Sequence, residues 1–285
     1  MKYDISNDII AVSKIINLTF SQLSNYLGVA RSTITRIVNG ESYPSDLFLE
    51  SFYSFVYSNS IRDISLNELK VRYAKEKHQD ILFHGIKRAI DGEIDLKHSR
   101  SEVDVGVGFY LGESYEQSSS YIFPYRDSSI YIFAIHNFQN LKIVEFDISL
   151  EWMLMVSYYR GQLDEYKDSQ IIIDIIKKVN EADVIIAPIA DNDMYEIMTR
   201  FARGDITDLQ ASLSLSASNL GKQYVLKTEK AIECVEMVER LYLCKQERND
   251  IEIRRKEKAM VSKKTAKELI ESLRRKGQYI EEILK

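Results

Sequence analysis

The sequence predicts an α+β protein with a small all-α module first, a mixed α+β domain next and a helical C-terminal tail. Three observations point there. Residues 9–57 place apolar side chains at helical spacing with two short breaks. Residues 80–228 interleave short apolar runs with helical stretches of uneven length, unlike a regular βαβ alternation. Residues 229–285 return to a helical pattern around a charged middle. The expected divisions are 1–60, a helical linker over 61–79, a mixed domain over 80–240 and a charged helical tail over 241–285.

In the front module, Thr19 precedes a first short helix, Gly28-Val29 makes a tight turn, and Asn39-Gly40 stops a second helix begun at Arg31. Leu23, Leu27, Val29, Ile34 and Ile37 stand where two helices crossing over a turn would bury them. Further on, ILFHG (residues 81–85) reads as a buried strand ending in His-Gly, and GVGFYLGES (106–114) as a glycine turn feeding a strand. Gly106 and Gly108 let the backbone approach something closely. Asp104 is expected to anchor that turn, and Tyr115 and Tyr121 to pack from the helix that follows. Strands are expected at 130–135, 141–146, 184–187 and 223–228, with helices at 151–160, 169–180 and 193–203. Thr207 and Gln210 have capping-box spacing, so another helix begins there. In the tail, Ile232, Val235, Val238, Leu241 and Tyr242 form an apolar stripe that reads as a helix.

Composition narrows the function classes. The 285 residues are 45% apolar and 28% charged, ordinary for a globular protein, and only 3 Pro leave little room for disordered linkers. The N-terminus has charges among its apolar residues and does not read as a signal peptide; the longest hydrophobic run, DVIIAPIA, suits a strand. No membrane association is expected. Cys234 and Cys244, ten apart in a helical pattern, read as reduced thiols of a cytoplasmic protein. His78, His84, His98 and His136 form no ligand-spaced cluster with them, so no metal is expected. Residues 245–285 hold 13 basic against 8 acidic side chains, while the middle of the chain is acidic. That balance argues against broad nucleic-acid coating by the middle.

The segment TFSQLSNYLGVARSTITRIVNGESYPS resembles the helix-turn-helix of phage repressors. The resemblance implies that Arg31, Ser32, Thr33, Thr35 and Arg36 face bases and phosphates of operator DNA. The same residues read equally as a solvated face of a docking module, and the module's slightly acidic balance bears on that choice.

No GxGxxG fingerprint followed by a helix and no P-loop is present. The run from FHG through DVGVGFYLGES to DNDMYEIMTRFARGDITDLQASLSLSASNLGKQYVLKTEKAI resembles a bacterial domain family of unassigned function grouped with the ADP-ribosyltransferases. That superfamily carries a His-Tyr-Glu constellation on three strands. The resemblance implies NAD as co-substrate, with His84 on a ribose hydroxyl, Gly85 backbone groups on the nicotinamide amide and Tyr110 stacked on the nicotinamide ring. Gln223 stands where many relatives have glutamate. Cleaving the nicotinamide bond passes through an oxocarbenium-like ribose, which a carboxylate would stabilise by charge; glutamine keeps the hydrogen bond alone. Arg100 either meets an NAD phosphate or pairs with Glu102.

Function follows in three forms. One is a transferase of ADP-ribose to a protein or nucleic acid, acting as a toxin or phage-defence effector on analogy. Another is a transcription regulator whose middle domain senses NAD or another nucleotide without turnover. The third is an inert interaction module. Residues 254–258 and the apolar stripe at 269–284 would suit nucleic acid, an antitoxin or a second copy of the chain, or simply a solvated helix face.

Overall fold

The computed structural model describes residues 3, 5–77, 80–96, 103–217 and 221–285. In chain order the elements are α1 (Ile5–Ile15), α2 (Phe20–Leu27), α3 (Arg31–Val38), α4 (Asp46–Ser58), α5 (Ile61–Arg72), β1 (Ile81–Ile86), β2 (Phe109–Gly112), α6 (Tyr115–Ile122), β3 (Ser129–Ile135) and β4 (Ile143–Glu145). Then come α7 (Leu150–Tyr159), α8 (Gln170–Asn180), β5 (Val184–Pro188), α9 (Asn192–Ala202), α10 (Asp208–Ser216), β6 (Lys222–Leu226), α11 (Glu229–Ile232), β7 (Val235–Leu241), α12 (Lys245–Ser272) and α13 (Ile280–Leu284). The protein is thus mixed α+β, with an N-terminal helical region, central strands and a long C-terminal helix. Among the described residues no helix is long and apolar enough to cross a membrane. Two compact units divide the chain: residues 1–92, 118–135 and 236–253 form the first, and 93–117, 136–235 and 254–285 the second.

The first unit is built on the helical region. Thr19 caps α2 through a reciprocal capping box with Gln22, and Gly28 ends it at φ 66°, a left-handed turn that only glycine adopts without strain. Leu23, Ile34 and Ile37 are buried as expected, beside Ile9, Phe52 and Ile61. The segment read as a polar linker also has a packed face: Ile61, Leu66, Leu69 and Tyr73 are buried. Arg62 is buried as well; it donates to the Tyr242 carbonyl at 2.6 Å and pairs with Glu247 at 3.2 Å. β1 and β3 run antiparallel with His84 opposite Tyr131 and Gly85 opposite Ile130. Arg248, near the start of α12, donates to the carbonyls of Phe123, Tyr125, Arg126 and Leu243, which fixes the turn before β3.

One expectation is corrected here. Residues 235–241 are a strand, β7, which lies next to β3, and no helix spans the stripe. Val235, Val238 and Leu241 recur every third residue and mimic a helical face over this short run, but ladder pairing decides the conformation. Arg240 then reaches back over the rings of Tyr3 and Tyr131 and donates to the Ser129 hydroxyl. Cys234 and Cys244 therefore flank a strand; both are free thiols, and Cys244 is buried in the first unit's core.

The second unit orders its strands β4-β5-β6-β2, with β4–β5 parallel and the other pairs antiparallel. Its core centres on α7, where Trp152, Met153, Leu154, Met155 and Val156 are all sealed from solvent. The middle of α7 is buried on every side, so these five residues present no polar face. The Thr207–Gln210 capping box forms as the spacing implied, and Gly204 closes α9 at φ 74°.

Candidate functional site

β2 and β6 pair antiparallel with Tyr110 opposite Val225 and Gly112 opposite Gln223. Side chains alternate along a strand, so Tyr110, Gln223 and Val225 share one face. The same face of β5 carries Ile185 and Ala187, and Tyr110, Val225, Ile185 and Ala187 pack into the core of the second unit. Tyr110 and Gln223 are thus brought together on a covered face.

The glycine turn before β2 is held by its own chain. The Tyr110 hydroxyl donates to the Gly106 carbonyl at 2.6 Å and accepts from the Val105 N–H at 3.2 Å. Gly106 sits at φ 72°, and a Cβ there would lie 2.5 Å from the Tyr159 ring; a Cβ on Gly108 would lie 2.5 Å from Val225. The close approach that these glycines permit is therefore to Tyr159 and Val225. Burial, reinforced by the Asp104 charge, raises the Tyr110 hydroxyl well above the ordinary tyrosine range, so it remains a neutral phenol.

Asp104, buried at 6% exposure, is the hub of the turn. The Arg160 guanidinium, at the end of α7, clasps Oδ1 through Nε at 2.9 Å and through a second nitrogen. Oδ2 accepts from the Ala190 N–H at 3.2 Å and from the Gln223 side-chain nitrogen at 3.0 Å. That same nitrogen also donates to the Pro188 carbonyl at 3.2 Å. Arg160 is held further by the Ala190 carbonyl and by the Tyr195 ring, 4.8 Å from its guanidinium carbon.

His84 and Gly85 belong to the first unit. His84 is half-buried, with its ring edge-on to Phe133 at 6.5 Å. A Cβ at position 85 would fall 2.6 Å from the Ser118 carbonyl oxygen, so glycine lets α6 seat against β1. Arg100 and Glu102 lie outside the described residues. Tyr121, expected to pack, is instead 56% exposed, because α6 buries Ser118, Ser119 and Ile122. On α3, Arg31, Ser32 and Arg36 are exposed and Thr33 and Thr35 half-buried. A cleft of about 430 Å³ between α7 and α8 is lined by Tyr158, Ile172, Ile176 and Lys177, and includes none of these residues.

A family model described as a protein of unknown function (DUF3990) matches residues 81–237, more than half of the chain. The chain belongs to this family. No curated protein and no solved structure matches it. The family segment runs from β1 into β7, so His84, Asp104, Tyr110, Arg160 and Gln223 all lie inside it.

Two further residues of the family segment carry chemistry that sequence reasoning passed over. Arg160 follows a helix with no motif to mark it. Lys227 was legible: it directly follows β6, and alternation continued from Gln223 and Val225 puts it on the Tyr110 face. Its ammonium donates to the Val105 carbonyl at 2.7 Å and lies 5.6 Å from the Tyr159 ring centre. Burial lowers its pKa to about 8 from the ordinary 10.5. Between those values the unfolded chain holds the proton that the folded chain has shed, so stability from this group rises with pH and is lost as pH falls through 8. Urea unfolding at pH 7.5 and 9.5 should show wild type gaining on Lys227→Met at the higher pH; parallel behaviour would remove Lys227 from the account.

Proposed function

We propose that this protein is an NAD-dependent ADP-ribosyltransferase with a DNA-reading helical module. The observation that carries this reading is the β2–β6 pairing, which sets a tyrosine and a third-strand polar side chain on one face of adjacent strands. This agrees with the order and residue types of the superfamily that the family segment resembles. By that resemblance the histidine of the set is His84, on β1. The acceptor would be a protein or nucleic acid.

One observation favours a second reading, an NAD-sensing regulator without turnover. Gln223 is neutral and its amide nitrogen is engaged by Asp104 and Pro188, so it brings no charge to an oxocarbenium-like ribose. Incubation with labelled NAD and cell lysate separates the two. Transferase activity predicts label transfer and nicotinamide release, abolished by His84→Ala and reduced by Gln223→Ala. Release that persists in His84→Ala removes that histidine from the site, and binding without any release establishes the sensor.

For the helical module, the exposed guanidiniums of Arg31 and Arg36 pair with no carboxylate among the described residues. They are placed at the start and in the last turn of α3, a helix that would meet a phosphate backbone as a recognition helix does. Selection of duplexes from a random pool should enrich a sequence whose binding is lost on joint Arg31→Ala and Arg36→Ala substitution. Unchanged binding would move DNA contact off α3, and no enrichment would leave the module to docking.

A further inference from the structure

The Gln223 carboxamide can be placed in two ways, with nitrogen and oxygen exchanged, and its partners decide between them. The groups facing its nitrogen are the Asp104 carboxylate at 3.0 Å and the Pro188 carbonyl at 3.2 Å. Both are acceptors only, so both side-chain N–H bonds are spent there. Exchanging the two atoms would set the amide oxygen against two other oxygens inside a buried cluster, at the cost of two hydrogen bonds and added repulsion. Asp104 is itself fixed, through Arg160 on Oδ1 and the Ala190 N–H on Oδ2. The result is a directed oxygen: Oε1 of Gln223 accepts from no described residue, yet is not among the described polar atoms sealed from solvent without a partner. A glutamate at 223 would bring a second carboxylate beside Asp104 and lose the donor, which accounts for an amide at this position.

We propose that Asp104 is a positioning residue that locks Gln223 as a fixed hydrogen-bond acceptor for a ligand hydroxyl. The choice of hydroxyl rests on the NAD reading: it is the 2′-hydroxyl of the nicotinamide ribose. The lock itself is independent of that reading. It makes the site selective for a ligand that donates, since a ligand with only acceptors would meet an oxygen that cannot turn away.

Two measurements on the full chain test this separately. Side-chain amide NMR should show the Gln223 NH2 as two dispersed signals protected from exchange with water, and Asp104→Asn should collapse that protection. Fast exchange in the wild type overturns the lock, whatever binds. Titration with NAD and with its 2′-deoxy analogue should show the analogue binding about tenfold more weakly, the weight of one hydrogen bond of ~1.4 kcal/mol. Asp104→Asn should bring the two ligands to within about twofold, a change in discrimination that a loss of stability alone would not produce. Equal affinities in the wild type overturn the acceptor role while NAD binding stands. A protected amide with no NAD binding overturns the NAD reading and the ligand assignment together. The wild-type arms decide even where Asp104→Asn fails to fold.

Discussion

Arg160→Met is expected to destabilise the protein by about 3 kcal/mol, the lower end of the range for breaking a buried ion pair. The side chain of Asp104 is 8% exposed and that of Arg160 21%, so removing the cation strands a carboxylate that water barely reaches. Methionine keeps much of the arginine stem, which separates loss of charge from loss of packing. The effect should be coupled. Asp104→Asn added to Arg160→Met removes the stranded charge and should recover about 1–2 kcal/mol, the usual size of interaction between residues in one network. Denaturant unfolding of the four chains checks this, and additive losses would mean that the pair contributes nothing as a pair. The same variant should loosen Gln223, because Arg160 holds Asp104 in its orientation beside it.

Arg62→Met is expected to cost about 3–5 kcal/mol in the first unit, since both partners are nearly sealed, at 5% and 2% exposure. It also leaves the Tyr242 carbonyl without the guanidinium that reaches it at 2.6 Å. Urea unfolding of the variant beside wild type checks this; a deficit of about 1 kcal/mol or less, the size of an exposed pair, would contradict it.

What could be read in the sequence was what short stretches determine alone. Thr19 with Gln22 and Thr207 with Gln210 are three residues apart, and both boxes form. The apolar runs that became β1, β3, β5 and β6 are dense enough to be strands wherever they pair. β7 was misread because a seven-residue strand with apolar side chains every third position has no intrinsic conformation to announce; its neighbour β3 lies about a hundred residues earlier. The site divides in the same way. His84, Tyr110 and Gln223 were legible as strand residues, and they stand on β1, β2 and β6. The bonds that give Gln223 its orientation join residues 119 and 35 positions apart, and no local pattern encodes them. Gly106 and Gly108 show the reverse lesson. Their spacing promised a close approach to something, and that something is Tyr159 and Val225 of the protein itself.

Calorimetric titration of NAD into the full-length chain tests the central claim most directly. Saturable binding at one site, weakened at least about tenfold by Tyr110→Ala while the variant remains folded, is the expected result. Absence of binding by wild-type protein whose circular dichroism and cooperative unfolding are intact would contradict it.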